Sequence, residues 1–142
     1  MFEPRINNIT SGCLDGEVKI WDECYSVAGT DSLSLKNSPV WIKEKNAMLK
    51  NKPDLTGSIP EEIYSLSNLE YLDLSYNKLD GSISNNIKNL KKLNYIDLSN
   101  NNLDGDIDNL IDFFSNIEFV NLRANKWLYH FPIWADTWCG YN

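Results

Sequence analysis

Hydrophobic and polar positions in the middle of the chain follow a pattern that repeats every 24 residues. The spacing is L-x-x-L-x-L-x-x-N-x-L, with an aliphatic residue at nearly every apolar position and asparagine at the polar one. Apolar residues two apart predict a short strand whose apolar side chains point to one side. A repeat of this length predicts a solenoid in which each coil contributes one strand. The three copies run over 69–79, 93–103 and 117–127.

The asparagine of each copy needs its own physical explanation. One coil cannot bury its own apolar face, so the coils must stack and share a continuous core. A side-chain amide that turns into this core is costly unless it is hydrogen-bonded. We therefore expect the asparagines to lie one above another and to bond the backbones of adjacent coils. They are Asn77, Asn101 and Asn125.

A second pattern follows each asparagine, in which a glycine suited to a tight turn stands between a leucine and an isoleucine. The run from Leu55 to Ile63 reads L-x-G-x-I-P-x-x-I and resembles the signature of plant-type leucine-rich repeats, whereas Ser84 and Asp108 replace the proline in later copies. The resemblance covers residues 55–127. It implies an α/β repeat fold, a short leucine-rich-repeat solenoid of about four coils with parallel strands on the concave face.

The segment before the repeats carries a second resemblance. Residues 14–37 contain D-G-x-V-x-x-W-x-E-C-Y and are similar to the N-terminal segment of leucine-rich-repeat proteins from environmental microbes. In this comparison Leu33 and Leu35 form the first strand, and Asn37 is its asparagine.

Two cysteines flank a short predicted strand in this segment. A disulfide between Cys13 and Cys24 would close a loop of about ten residues and stabilise the fold by roughly 2–3 kcal/mol. The alternative is a pair of reduced, partly buried thiols, because the sequence does not decide the redox compartment. Cys139 is left over, either free or joined to another chain.

About sixteen residues, 38–53, are inserted between Asn37 and the first turn signature. Ser38 is suited to cap a helix that Pro39 begins, and Trp41 and Met48 fall on one face at helical spacing. We predict a short amphipathic helix over about 40–50. It either shields an open flank of the solenoid or docks a partner.

The end of the chain is rich in aromatic residues. Solenoids need a terminal cap to keep water from the last coil, and such a tail is suited to form one. The positions of Phe131, Pro132 and Trp134 resemble the end-cap of the same microbial proteins, although Leu128 stands where those often have cysteine. The alternative for the tail is an aromatic platform for a sugar or a partner.

These patterns predict one continuous structural domain. Its parts are an N-terminal cap with the first strand and the inserted helix over 1–54, leucine-rich repeats over 55–126, and a C-terminal cap over 127–142. Among 142 residues, 42% are hydrophobic and 12% are aromatic, which argues against disorder.

The net charge and the length of the apolar runs limit the classes of partner and the cellular compartments that the sequence allows. The formal net charge is −7, which disfavours nucleic acid, and no apolar run is long enough for membrane insertion. With Met1 as the native start, the absence of a signal peptide predicts an intracellular or virion location. The family and its cysteines favour an extracellular location instead, where the sequon at Asn8 could carry a glycan.

The residues offer little for catalysis or metal binding. The single histidine, His130, has Cys139 as the nearest candidate nucleophile in sequence, without a third orienting group. The aspartates of 104–108 resemble the start of a calcium loop, but Asn109 and Ser115 stand where such a loop needs glycine and glutamate. We predict no catalytic, cofactor or metal site and no enzyme activity.

The remaining candidate site is the strand surface that faces away from the core. Members of the resembled family mostly bind proteins or peptides there, so we expect a non-catalytic module for protein or peptide recognition. Four coils offer only roughly 300 Å², below the roughly 800 Å² per partner of a standard interface. The alternatives are therefore a structural subunit of a larger assembly, such as a filament, virus particle or surface layer, and, more distantly, glycan binding. The predicted contact residues are Tyr71, Asp73, Ser75, Tyr95, Asp97, Ser99, Phe119, Asn121 and Arg123.

Overall fold

The computed structural model of the chain describes residues 12–37, 40–42, 47–49 and 54–127. Eleven strands lie in this part of the chain, arranged as two parallel sheets and two antiparallel hairpins. In chain order they are β1 (Glu17–Ile20), β2 (Glu23–Ser26), β3 (Ser32–Ser34), β4 (Val40–Ile42), β5 (Ala47–Leu49), β6 (Thr56–Gly57), β7 (Tyr71–Asp73), β8 (Lys78–Gly81), β9 (Tyr95–Asp97), β10 (Asn102–Leu103) and β11 (Phe119–Asn121).

The main sheet is parallel, with the strand order β11-β9-β7-β3. Its register pairs residues 24 apart, so that Tyr71 lies beside Tyr95, and Tyr95 lies beside Phe119. Strand β3 joins the same register, with Ser32 beside Tyr71. Equal repeat length therefore places equivalent side chains in rows across the sheet, and the predicted stack of parallel strands is confirmed.

The core consists of the apolar repeat positions. Leu72 and Ile96 lie side by side beneath the sheet and are almost completely buried, as are Leu74 and Leu98 in the next row. Each coil adds its leucines to the same column, so the burial of one coil depends on its neighbours.

A second parallel sheet, of order β10-β8-β6, forms at the turn after each asparagine. The chain then enters short 3-10 helices at Glu61–Ser65, Asn85–Asn89 and Asp108–Leu110, and the last of these continues into a four-residue helix, α1 (Ile111–Phe114). Ser84, which replaces the signature proline, caps its 3-10 helix by accepting a hydrogen bond from the Asn86 N–H. The capping hydroxyl explains how this coil keeps its geometry without proline.

The predicted asparagine ladder is present. The side-chain amides of Asn77, Asn101 and Asn125 each donate to a carbonyl of the preceding coil, at 3.0, 3.0 and 2.9 Å. Each side-chain oxygen also accepts a backbone N–H from the preceding coil, at 3.0 Å in all three cases. Each of these three asparagines thus bonds its own turn to the coil before it.

The N-terminal hairpin of β1 and β2 covers the first coil. Ile20 is buried in the core, and Cys13 and Cys24 form a disulfide with 5.6 Å between their Cα atoms. The predicted disulfide is therefore confirmed. Asn68 fastens the chain after the hairpin to the repeats, because its side-chain amide donates to the carbonyl of Ala28 at 2.7 Å.

The predicted helix over 40–50 is wrong. Strands β4 and β5 form an antiparallel hairpin there, in which Trp41 pairs with Met48. A ten-residue helix is marginal in water, and the run V-W-I contains two β-branched residues and an aromatic one, which favour a strand.

Asn37 differs from the expectation that it continues the ladder. Its backbone N–H donates to the Ser75 carbonyl, and the Tyr76 N–H makes the equivalent bond to the Ser99 carbonyl. Asn37 therefore corresponds to Tyr76, the residue that precedes the first asparagine of the ladder. Its buried amide donates instead to the Asp54 carboxylate at 2.9 Å. The predicted C-terminal cap lies outside the described residues, apart from Trp127.

Candidate functional site

Three aromatic rings stack on the open face of the main sheet. Tyr71, Tyr95 and Phe119 begin β7, β9 and β11, and we call them the aromatic file. The centroids of the first pair of rings are 4.2 Å apart at 14°, and those of the second pair are 4.4 Å apart at 9°. All three side chains are partly exposed. The in-register strands place the rings at stacking distance, so that each ring covers part of its neighbour's face and the three form one continuous aromatic stack.

Four of the nine predicted contact residues are buried rather than exposed. Asp73 and Asp97 retain 2% and 8% of their exposure, and Ser75 and Ser99 are equally hidden. The Asp73 carboxylate accepts the Ser75 N–H at 3.0 Å and the Ser75 hydroxyl at 2.6 Å. These hydrogen bonds fix the turns at the strand ends and leave little of the side chains accessible, and the prediction that they contact a partner stays a prediction.

The last coil varies this arrangement and is more open. The Asn121 amide donates to the Asp97 carboxylate at 3.1 Å, and its oxygen accepts the Arg123 N–H at 3.3 Å. Asn121 is partly exposed and Arg123 is exposed. Of the polar residues predicted from the strands, these two are therefore accessible.

A depression of about 400 Å³ lies beyond the carboxyl ends of the main strands. The Lys36 ammonium lies 6.0 Å from the centre of the Tyr76 ring, on the N-terminal side of the depression. The sequence interpretation missed Lys36, Tyr76 and Asn100, although Tyr76 and Asn100 follow their strands at the repeat interval. The lining residues are Lys36, Tyr76, Asp97, Ser99, Asn100, Asn121, Arg123 and Ala124.

The opposite edge of the aromatic file is lined by acidic residues. Each strand of the main sheet is preceded by an exposed polar residue. For the first three strands the carbonyl of this residue accepts the N–H that opens the next strand, as the Asp31 carbonyl accepts the Tyr71 N–H at 3.1 Å. The sequence interpretation did not include this row among the contact residues. We call the row the acidic rim; it consists of Asp31, Glu70, Asn94 and Glu118.

Tyr95, the central residue of the aromatic file, carries a phenol whose pKa is raised. Burial is the largest cause that raises the pKa of Tyr95, followed by its hydrogen bond with Tyr71 and by the charges of Asp97 and Asp73. The Tyr95 hydroxyl therefore remains protonated at physiological pH and can donate a hydrogen bond to a ligand.

Comparison with known proteins places the repeats in a family. Residues 67–112 match the family model for Leucine Rich repeats (2 copies). A chain of the crystal structure of PEPR1-AtPEP1 is 29% identical with a TM-score of 0.51, over 56% of this chain and 11% of that one. A chain of the BIR3 and SERK2 complex from Arabidopsis thaliana is 40% identical with a TM-score of 0.50, over 54% and 41%. No curated protein matches the chain.

The protein carries leucine-rich repeats of the plant type. The family model, the L-x-G-x-I-P turn and the ladder agree on this assignment. The leucine-rich-repeat chain spans less than half the length of either solved chain. In the part that the structure describes, no helix has the length and apolar character needed to cross a bilayer.

The other predicted chemistry of this leucine-rich-repeat protein is only partly within the described residues. His130, Cys139 and Asn8 lie outside them, so the prediction of no enzyme activity stays a prediction. Within them, Cys13 and Cys24 lie near Glu17, but their sulfurs are bonded to each other and offer no thiolate.

Proposed function

We propose that this leucine-rich-repeat protein is a recognition module that binds a short protein or peptide segment on the open face of its main sheet. The observation that carries the proposal is the aromatic file, Tyr71, Tyr95 and Phe119. Its rings are held in a rigid sheet and are partly exposed. Large, rigid aromatic side chains are the residues that most often dominate binding energy at protein interfaces.

The dimensions of the face favour a short extended segment over a large globular partner. Four strands about 4.8 Å apart span about 14 Å across the main sheet, the length of about four extended residues. Such a segment can lie across the strands and contact every ring of the aromatic file. The face alone remains well below the roughly 800 Å² per partner of a standard protein interface.

The similar solved structures support the same class of function. One holds PEPR1 with AtPEP1, and the other is the complex of BIR3 with SERK2. Both are assemblies of a repeat-containing chain with another molecule. Because this chain spans only part of those proteins, its own partner is a matter for experiment.

The experiment selects peptides from a random library on the immobilised protein and then measures their dissociation constants in solution. Tyr95→Ala removes the central ring of the aromatic file and should weaken a selected peptide about thirtyfold, the effect of losing about 2 kcal/mol at a central aromatic contact. Tyr25→Ala, which removes a partly exposed tyrosine from the N-terminal hairpin, is the matched control and should leave affinity unchanged.

Circular dichroism and unfolding midpoints establish that both variants fold. Equal affinities for wild type and a folded Tyr95→Ala variant would show that the peptides bind elsewhere, and the proposal would be wrong. The structural-subunit and glycan alternatives stay predictions, since no described contact favours either over peptide binding.

A further inference from the structure

The two edges of the aromatic file carry opposite charge. On the amino side of the main strands, the acidic rim presents the exposed carboxylates of Asp31, Glu70 and Glu118, with Asn94 as its only neutral member. On the carboxyl side, two cationic residues, Lys36 and Arg123, line the depression together with one acidic residue, Asp97, which is almost completely buried. A ligand that lies along the rings therefore meets carboxylates on one side and cations on the other.

We propose that the segment bound on this face is basic, with arginine or lysine side chains that cross the aromatic file and pair with the acidic rim. This inference rests on the proposed function and adds the charge and orientation of the ligand. The ligand backbone lies across the strands. Its cationic side chains point toward the amino ends of the strands, and its neutral or acidic side chains point toward Lys36.

The stacked rings favour a guanidinium over other side chains. An arginine that crosses the file can place its planar group on the outer face of Tyr71 or Phe119, which no ring of the file covers, and still reach a carboxylate beyond it. Aromatic stacking and ion pairing then act on one side chain, which a neutral or acidic residue cannot reproduce.

The spacing of the acidic rim suits alternating cations. Neighbouring rim positions are about one strand spacing apart, about 4.8 Å, and Glu70 and Glu118 are about two spacings apart. In an extended peptide, side chains on one side recur every two residues, about 6.8 Å apart. The spacing of the peptide side chains thus differs from that of the rim positions by a few ångströms, and long arginine side chains at positions i and i+2 can bridge this mismatch. The expected motif is therefore R-x-R.

The charges around the rim agree with this orientation. Lys92 lies two residues before the neutral rim position Asn94, and its ammonium donates to the Asn68 side chain of the preceding coil at 2.7 Å. The formal net charge of −7 attracts a basic ligand over a longer range and speeds its encounter at low salt.

The test uses fluorescence anisotropy with a labelled heptapeptide in which three arginines alternate with threonines. Two further peptides carry glutamine or glutamate in place of arginine. Glu70→Gln combined with Glu118→Gln neutralises the acidic rim. Asp80→Asn combined with Asp104→Asn is the matched control, because these exposed aspartates lie on or beside the second sheet and the net charge changes equally. Unfolding midpoints verify that each variant folds.

We expect the arginine peptide to bind more tightly than the other two peptides. The rim variant should weaken it about fivefold, the effect of losing two exposed ion pairs worth about 1 kcal/mol together. The control pair should leave its affinity nearly unchanged, and Tyr95→Ala should also weaken it.

Four results would overturn the inference. Equal losses in the rim and control variants would mean that only net charge matters, and no binding of the arginine peptide up to about 1 mM would exclude even a weak site. If the glutamine or glutamate peptide binds as tightly as the arginine peptide, and Tyr95→Ala weakens its binding equally, the ligand is not required to be basic and the proposed function still stands. If Tyr95→Ala weakens none of the peptides that bind, both proposals fail.

Discussion

Replacing Asn101 by alanine removes the central rung of the asparagine ladder. The Asn101 oxygen accepts the buried Leu79 N–H at 3.0 Å, and its amide donates to the carbonyls of Leu74 and Leu98 at 3.0 and 3.1 Å. The amide also reaches the Ser99 carbonyl at 3.2 Å. Alanine reproduces none of these four bonds, and it leaves a space where the side chain was.

The energetic cost is concentrated on one group. The Leu74 carbonyl retains the Asn77 amide as a donor, and the Leu98 carbonyl retains the Asn125 amide. The Leu79 N–H loses the side-chain oxygen that accepts from it, and an unsatisfied buried donor costs about 1–3 kcal/mol. With weakened carbonyl bonding and the small cavity, we expect Asn101→Ala to lower the free energy of unfolding by about 2–4 kcal/mol.

Urea unfolding followed by circular dichroism measures this loss. Asn94→Ala is the matched control, because Asn94 is exposed on the neighbouring acidic rim, and it should change stability by less than about 0.5 kcal/mol. Asn101→Asp keeps the acceptor but turns a carboxylate oxygen toward three carbonyls, so it should cost at least as much as alanine at neutral pH. An Asn101→Ala variant no less stable than Asn94→Ala would refute the structural role of the ladder.

Three further predictions concern stability. The buried Tyr64 hydroxyl has no partner at full hydrogen-bonding geometry among the described residues. Burial, followed by the charge of Glu61, raises the pKa of Tyr64 from 10.0 to about 12, against a smaller opposing effect of the Ser84 backbone. The folded state therefore holds this proton more tightly than the unfolded state, and the free energy of unfolding falls by about 2–3 kcal/mol between pH 10 and 12. Urea midpoints over this range should fall less steeply for Tyr64→Phe, and parallel slopes would contradict the assignment. Gly105 has a φ of +90°, and a Cβ added there would lie 2.8 Å from the Ser82 Cβ. Gly105→Ala should therefore lose more stability than Gly57→Ala, because Gly57 also has a positive φ but has open space around it. Equal losses of stability in thermal unfolding would exclude the clash. Reducing the N-terminal disulfide with a thiol should cost about 2–3 kcal/mol by loop closure, and an unchanged urea midpoint after complete reduction would contradict this.

Features that depend on the repeat period could be predicted from the sequence. Residues 24 apart must become neighbours once coils of equal length stack, and this places Tyr71 beside Tyr95 and Asn77 beneath Asn101. The same argument predicted the parallel strands and the shared core. These features need no knowledge of side-chain packing beyond the period itself.

Features that depend on local packing could not be predicted in this way. Alternation places Asp73 on the face opposite the leucines, but it does not show that Ser75 and the neighbouring Asp97 cover it. The insertion also interrupts the 24-residue period, so the repeat spacing does not fix the position of Asn37, which lies one residue before the ladder position. Within the insertion, helical spacing and strand propensity favour different structures over about ten residues, and the β-branched and aromatic residues of the strands agree with the hairpin.

The central claim is that the coils stack in register and so bring the three rings of the aromatic file together on one face. Nuclear Overhauser spectroscopy with selectively labelled tyrosine and phenylalanine tests it directly. The structure predicts cross-peaks between the ring protons of Tyr71 and Tyr95 and between those of Tyr95 and Phe119, at centroid distances of 4.2 and 4.4 Å. Assigned rings without these two cross-peaks would contradict both the register and the proposed binding face.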